Sequence, residues 1–198
     1  MHNAMLAGFV IGLSALLSCS INNAYLAALV FSVGLLFIRI EKLPLFTGQI
    51  QKLPMKEITI KSLFKILFQN ICGVCGAMIL AFGISFHHKI MVDNYIAIAD
   101  TKWLSPWWYY ILTGFVCGFL MTIATRPSTP LWVSCLCVAS FILGKFNHCI
   151  ADWFYISIKH FPSWICVVVG NMIGGVIAVP IVKSKGISTR VPVHISNR

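Results

Sequence analysis

Charge is what this sequence has least of. Charged residues make up 10% of its 198 positions, and only five are acidic, against about 25% charged in soluble domains. That scarcity, with 59% hydrophobic residues and a mean hydropathy of +0.88, argues against a soluble globular chain. Also missing is any polar connector long enough to fold into a soluble domain. No basic segment precedes the first apolar run, so that run is expected to be a span and not a cleaved signal peptide. The Cys72-x-x-Cys75 spacing lacks the second pair that a zinc site needs. The other cysteines lie in or beside apolar segments, where thiols behave as small hydrophobes. No metal and no cofactor is expected.

What is present is a series of apolar runs, each close to the ~20 residues that a helix needs to cross a bilayer. Six are readable: 5–20, 23–40, 62–86, 106–125, 131–158 and 163–182. The chain is therefore expected to be one all-α transmembrane domain over residues 1–198. The net charge of +10 would suit nucleic acid, but its placement reports topology instead. With the N-terminus in the cytoplasm, most Lys and Arg fall in cytoplasmic connectors and in a tail at 183–198. Lys89, Lys102 and Lys159 fall outside, and Arg39, Lys42 and Lys145 stay at membrane depth. A multi-pass protein of the plasma (inner) membrane with both termini cytoplasmic is the expectation, and no nucleic-acid partner.

Short patterns recur in order between the two halves. Gly8-Phe9-Val10-Ile11-Gly12 matches Gly114-Phe115-Val116-Cys117-Gly118, and Phe31-Ser32-Val33-Gly34 matches Phe141-Ile142-Leu143-Gly144. Asn70-x-x-Gly73 matches Asn171-x-x-Gly174. This predicts two three-helix repeats, at about 5–86 and 106–182. An odd number of spans per repeat makes their topology inverted, an arrangement that places substrates near the midplane between interrupted helices. The second and fifth runs carry the interruptions. One is "EKLPLFTGQ" at 41–49, where Pro44 and Gly48 oppose helix; the other runs from Gly144 to His148.

The second interruption lies in "ILGKFNHCIADWF", residues 142–154, where Lys145, Asn147, His148 and Asp152 crowd an apolar run. Polar groups at this depth are costly and mark pathways or proton relays. Imidazole exchanges protons near neutrality, which points to His148. The bland alternative is a structural histidine bonded to a backbone carbonyl at the break. Thr47 offers a hydroxyl in the opposite loop, either to orient the imidazole or to cap a half-helix. Lys42 and Lys145 add positive charge at the breaks, which Glu41 and Asp152 are placed to neutralise.

The pattern Leu45-Phe46-Thr47-Gly48, then Phe146-x-His148-x-x-Ala151, then Gly170-Asn171-x-x-Gly174-Gly175, resembles the formate/nitrite transporter family over about residues 5–182. The resemblance implies aquaporin-like protomers with helices 2 and 5 broken at the midplane, assembled as a homopentamer in the lipid bilayer. Each protomer then has its own pore for a small monovalent weak-acid anion, moving with protons. It implies pore or substrate roles for His148, Thr47, Asn171 and Lys102, with Lys102 at the outer vestibule. It places apolar constrictions at Phe31, Leu35, Leu45, Phe46, Met121 and Phe141. Phe31 and Phe141, matched in the repeat, suit two related gates. Lys145, Asn147 and Asp152 would stand behind the pore surface. The sequence departs from the family at Pro44 (usually an acid), Asn147 (a glutamate), and Gly118 and Asp152 (asparagines).

The expected function is thus a channel or proton-coupled transporter for formate, nitrite, hydrosulfide, acetate or lactate, and not an enzyme. An aquaporin-like pore for water or neutral solutes shares the geometry but has no use for a midplane histidine. An intramembrane enzyme using His148 and Asp152 lacks a nucleophile, and a non-transporting sensor explains the departures but not the pore residues. The sequence is compatible with a proton from His148 or from water.

Overall fold

The computed structural model describes residues 2–183, with side chains placed between 3 and 180; the expected tail at 183–198 lies almost wholly outside the described residues. Every regular element among them is helical. Six long apolar helices are α1 (His2–Cys19), α2 (Ala24–Ile40), α4 (Ile60–Ser85), α6 (Trp107–Ala124), α7 (Leu131–Leu143) and α9 (Phe161–Lys183). Three stretches, Ile60–Ser85, Trp107–Ala124 and Ile158–Pro180, are long and apolar enough to cross a membrane on their own. The other apolar helices are shorter, at Asn3–Cys19, Ala24–Ile40 and Leu131–Leu143.

Two of the shorter helices end where the sequence predicts interruptions. The chain leaves α2 at Ile40 and re-forms helix as α3 (Phe46–Gln49), followed by a 3-10 turn at Ile50–Lys52. It leaves α7 at Leu143 and re-forms it as α8 (Cys149–Asp152), followed by a 3-10 turn at Trp153–Tyr155. Position by position, the second break repeats the first. Both exits are tight helix-ending turns of the Schellman type, in which a left-handed residue lets the chain reverse. At the first, Lys42 has φ 53° and Leu43 N–H donates to the Ile38 carbonyl at 2.9 Å. At the second, Lys145 has φ 55° and Phe146 N–H donates to the Phe141 carbonyl at 2.9 Å.

This register corrects two pairings expected from sequence. Because Lys42 corresponds to Lys145, Phe141 corresponds to Ile38 and not to Phe31. Gly8 likewise corresponds to Gly118, one turn beyond Gly114: a Cβ on Gly8 would land on the Asn70 carbonyl, and one on Gly118 on the Asn171 carbonyl. Glycine and phenylalanine are frequent enough here to match out of register. The contacts behind the corrected pairing are close backbone approaches that only glycine permits. They let α1 lie against α4 and α6 against α9, while α2 packs on α7.

Arg39 joins two elements. Its guanidinium donates to the Arg126 carbonyl at 2.7 Å and the Thr129 carbonyl at 2.8 Å, and to the Ser134 hydroxyl. It therefore ties the end of α2 to the connector between α6 and α7. With Arg39 at the start of α7 and Phe31 against Phe141 near its end, α2 and α7 run antiparallel. The connectors also hold a helix the sequence did not suggest: α5 (Lys89–Lys102), capped by His88 Nδ1 accepting from Met91 N–H at 3.3 Å. It lies over α1 and α4 and carries Lys102 at its last position.

Candidate functional site

The two breaks meet at a hydrogen bond. After the left-handed turn at Lys145 the backbone extends, and His148 (φ −113°, ψ 113°) becomes the N-cap of α8. Its Nδ1 accepts from Ala151 N–H at 3.1 Å, satisfying one of the orphan donors of a helix start. A nitrogen that accepts carries no proton, so the ring proton belongs to Nε2. Nε2 lies 3.0 Å from the Thr47 hydroxyl oxygen and donates to it. The Thr47 hydroxyl hydrogen is left to donate elsewhere. His148 and Thr47 are 2% and 0% exposed. The histidine thus bonds a backbone N–H, not the carbonyl of the bland reading. Thr47 is no cap, since the N-cap of α3 is Leu45, which makes no side-chain bond.

An aromatic layer covers the pair. The His148 ring stacks on Phe141 at 5.5 Å with planes 12° apart, and Phe141 meets Phe31 edge to face at 6.3 Å and 82°. Phe31 and Phe141 therefore form one layer and not two separate gates. Leu35, Leu45, Phe46 and Met121 are each 2% exposed or less, within the same apolar cluster.

Asn171 was expected at the pore surface; the structure gives it a different task. Its amide donates to the carbonyls of Gly114 (2.8 Å) and Asn147 (2.9 Å), and its oxygen accepts from Cys149 N–H at 2.9 Å. It is fully buried, so its hydrogen-bonding capacity goes to backbone on either side of His148. Asn70 does the same for the first break: its oxygen accepts from Phe46 N–H at 2.8 Å, and its amide donates to the carbonyls of Ala4 (2.6 Å) and Pro44 (3.1 Å). Backbone that is not helical at membrane depth needs such partners. The sequence showed Asn70 only as a repeat marker; its position opposite Asn171 was the available signal.

Lys102 also departs from expectation. Its Nζ lies 2.8 Å from Asp152 Oδ1, with side chains 16% and 4% exposed. The carboxylate's other oxygen accepts from the Asn147 amide at 2.7 Å, and the Asn147 oxygen accepts from the Thr113 hydroxyl at 2.7 Å. Asp152 is therefore the partner of Lys102 and not of Lys145, which is exposed. The reason is topological: α5 brings its last residue onto α8, a contact that local spacing around residue 145 could not reveal. Asp152 N–H donates to the His148 carbonyl at 2.8 Å, which fixes the ion pair one turn from the imidazole. Thr113 was not anticipated, and no spacing pointed to it.

Residues 1–185 match the sequence profile of the formate/nitrite transporter family. The chain belongs to that family. Its fold is that of solved family structures. A pentameric formate channel with formate bound aligns at a TM-score of 0.75 and 23% identity, covering 92% of this chain and 94% of its own. An ion channel of the formate/nitrite transporter (FNT) family aligns at 0.77 and 18% identity, covering 92% and 87%. Among curated protein sequences none matches. The family and these neighbours are channels and transporters, not enzymes. The apolar helices fit a membrane protein.

Proposed function

We propose that the chain forms a pore for a small monovalent weak-acid anion, such as formate, nitrite, hydrosulfide, acetate or lactate, which crosses with a proton. The observation that carries this reading is the His148–Thr47 hydrogen bond, buried beneath the Phe31–Phe141 layer at the meeting point of two broken helices. A bare anion entering this apolar layer loses hydration worth tens of kcal/mol in the continuum limit. Protonating a carboxylate of pKa near 4 at pH 7 costs only about 4 kcal/mol. The neutral acid is therefore the cheaper species to pass.

In this geometry the histidine is a hydrogen-bond donor and not the proton source. Nδ1 is engaged as a helix cap, so surrendering the Nε2 proton would leave an imidazolate. The proton then comes from water at the pore mouth. The Thr47 hydroxyl, polarised by Nε2–H, donates to the permeant carbonyl or acid oxygen. Asn70 and Asn171 hold the loops that bring the pair together.

The same reading takes the two halves as inverted three-helix repeats of one transmembrane domain, with cytoplasmic termini in the plasma membrane and a homopentameric assembly. The basic connectors and the pentameric formate channel support it. Flux of labelled formate, nitrite, hydrosulfide, acetate and lactate into liposomes at several external pH values tests the function. Uptake of at least one, rising as external pH falls, is expected. Water permeability without anion flux at any pH would overturn the proposal.

A further inference from the structure

The charges that gather anions at a pore mouth must be free to act on solvent, and the ion pair with Asp152 removes Lys102 from that role. Among the described residues, the two break-turn lysines have no such partner. Lys42 and Lys145 are both exposed, and Lys102–Asp152 is the ion pair found among the described residues. Their backbones hold the left-handed conformation, at φ 53° and 55°, at corresponding positions of the two breaks. An L residue pays a steric cost there that glycine avoids. Lys56, outside both breaks, holds the same conformation at φ 58°, so what sets Lys42 and Lys145 apart is their equivalent place at the two breaks, where a strained residue points to function.

Their placement is specific. Each turn leads directly into a site loop: Lys42 stands five residues before Thr47, and Lys145 three before His148. The turn at Lys145 closes on the Phe141 carbonyl, above the ring that stacks on His148. The turn at Lys42 closes on the Ile38 carbonyl, beside Arg39. Because α2 and α7 are antiparallel, the two lysines lie at opposite ends of the helix pair. The separation is about the 20 Å length of α7 at 1.5 Å per residue.

We infer that Lys42 and Lys145 are the anion-collecting charges of the two pore mouths, one on each side of the His148–Thr47 site. This rests on the anion-pore reading and assigns its electrostatic funnel. Each lysine raises the local anion concentration at its own mouth by its field. Each therefore governs flux from its own side and not from the other. Glu41 precedes Lys42, whereas the corresponding residue before Lys145 is Gly144. Arg39, in the same turn as Glu41, offsets that carboxylate, so the two losses should be of similar size.

The test is influx and efflux of labelled formate in liposomes, with orientation read from protease access to a C-terminal tag. Lys42→Gly and Lys145→Gly relieve the left-handed strain, so their thermal midpoints should be no lower than wild type. Each should lower flux from one side only, the two in opposite directions. The drop should be about three-fold in ~20 mM salt and less than about 1.5-fold in ~300 mM, where screening shortens the field. Lys→Arg at either site should keep wild-type flux. Wild-type flux in both glycine variants, or losses that are equal from both sides or at both salt levels, would overturn the inference. A wild-type protein that passes no anion would instead overturn the pore reading on which it rests.

Discussion

The imidazole Nε2 of His148 and the hydroxyl oxygen of Thr47 lie 3.0 Å apart, joining loops 101 residues distant in sequence. Both side chains are buried. Thr47→Val keeps the shape and removes the acceptor, leaving the buried Nε2–H unpaired. Such a loss costs about 1–3 kcal/mol, so thermal unfolding should fall by several degrees and formate flux by at least about ten-fold. Thr47→Ser restores the oxygen and should recover most of both. Equal damage from Ser and Val would mean that the methyl group, not the hydroxyl, is what matters.

His148→Asn separates capping from imidazole chemistry. Asparagine is a good N-cap and can accept from Ala151 N–H, so the variant should fold and assemble. It lacks the flat ring that stacks on Phe141 and the reach to Thr47, so flux should drop. With water as the proton source, what remains should still rise as external pH falls. Lys102 and Asp152, the charged pair facing this region, are unchanged and hold each other. Flux that becomes independent of pH in His148→Asn would make the histidine itself the proton donor.

The six long apolar helices and both interruptions were legible in the sequence because apolar run length and the Pro44 and Gly144 punctuation act locally. His148 and Thr47 stood out as polar groups in runs that otherwise exclude them. The backbone bonds of Asn171 were not legible, because an amide beside glycines can face a pore or hold a loop, and only the positions of the Cys149 and Asn147 backbone groups reveal its partners. The partner of Asp152 was hidden for a different reason. It arrives on α5, a helix inside what looked like a connector. The glycine pairings were read out of register, since glycine matches do not reveal which carbonyl each glycine admits.

The Lys102–Asp152 pair yields a prediction opposite to that for a field-acting lysine. Removing one member of a buried pair strands the other and costs about 3–5 kcal/mol when burial is complete; Lys102, 16% exposed, retains some water. A loss nearer 2 kcal/mol is therefore expected for Asp152→Asn or Lys102→Met. Flux should fall by a similar factor at low and high salt. The double variant Lys102→Met/Asp152→Asn should be more stable than the sum of the single changes implies, by thermal melting. Additive losses, or a Lys102→Met effect that vanishes in high salt, would show that the pair is not energetically coupled.

Asn171 is expected to matter for assembly of the site and not for choice of solute. Asn171→Ala removes two donated bonds and one accepted bond at buried backbone, at about 1–3 kcal/mol for each group left unpaired. Folded yield should fall sharply, while the surviving protein keeps the wild-type ratio of formate to lactate flux. Asn70→Ala, acting on the first break through equivalent bonds, should behave alike. A variant with normal yield and an altered ratio would return Asn171 to the pore surface.

The aromatic layer offers the sharpest separation of gating from chemistry. Phe31 touches Phe141 edge to face, but only Phe141 stacks on the imidazole. Phe31→Leu should therefore widen the constriction without disturbing His148. Flux should rise, most for the largest solute, so that lactate gains on formate. Phe141→Leu widens the same layer and also removes a stacking contact worth about 0.5–1.5 kcal/mol. The ring is then freer to leave Thr47, and half-saturation for formate should shift to higher concentration along with the relaxed size selection. Concentration dependence of flux for both solutes in the two variants reads the difference. If Phe31→Leu and Phe141→Leu give the same half-saturation for formate, the stack does not position the histidine, and the layer acts as a sieve alone.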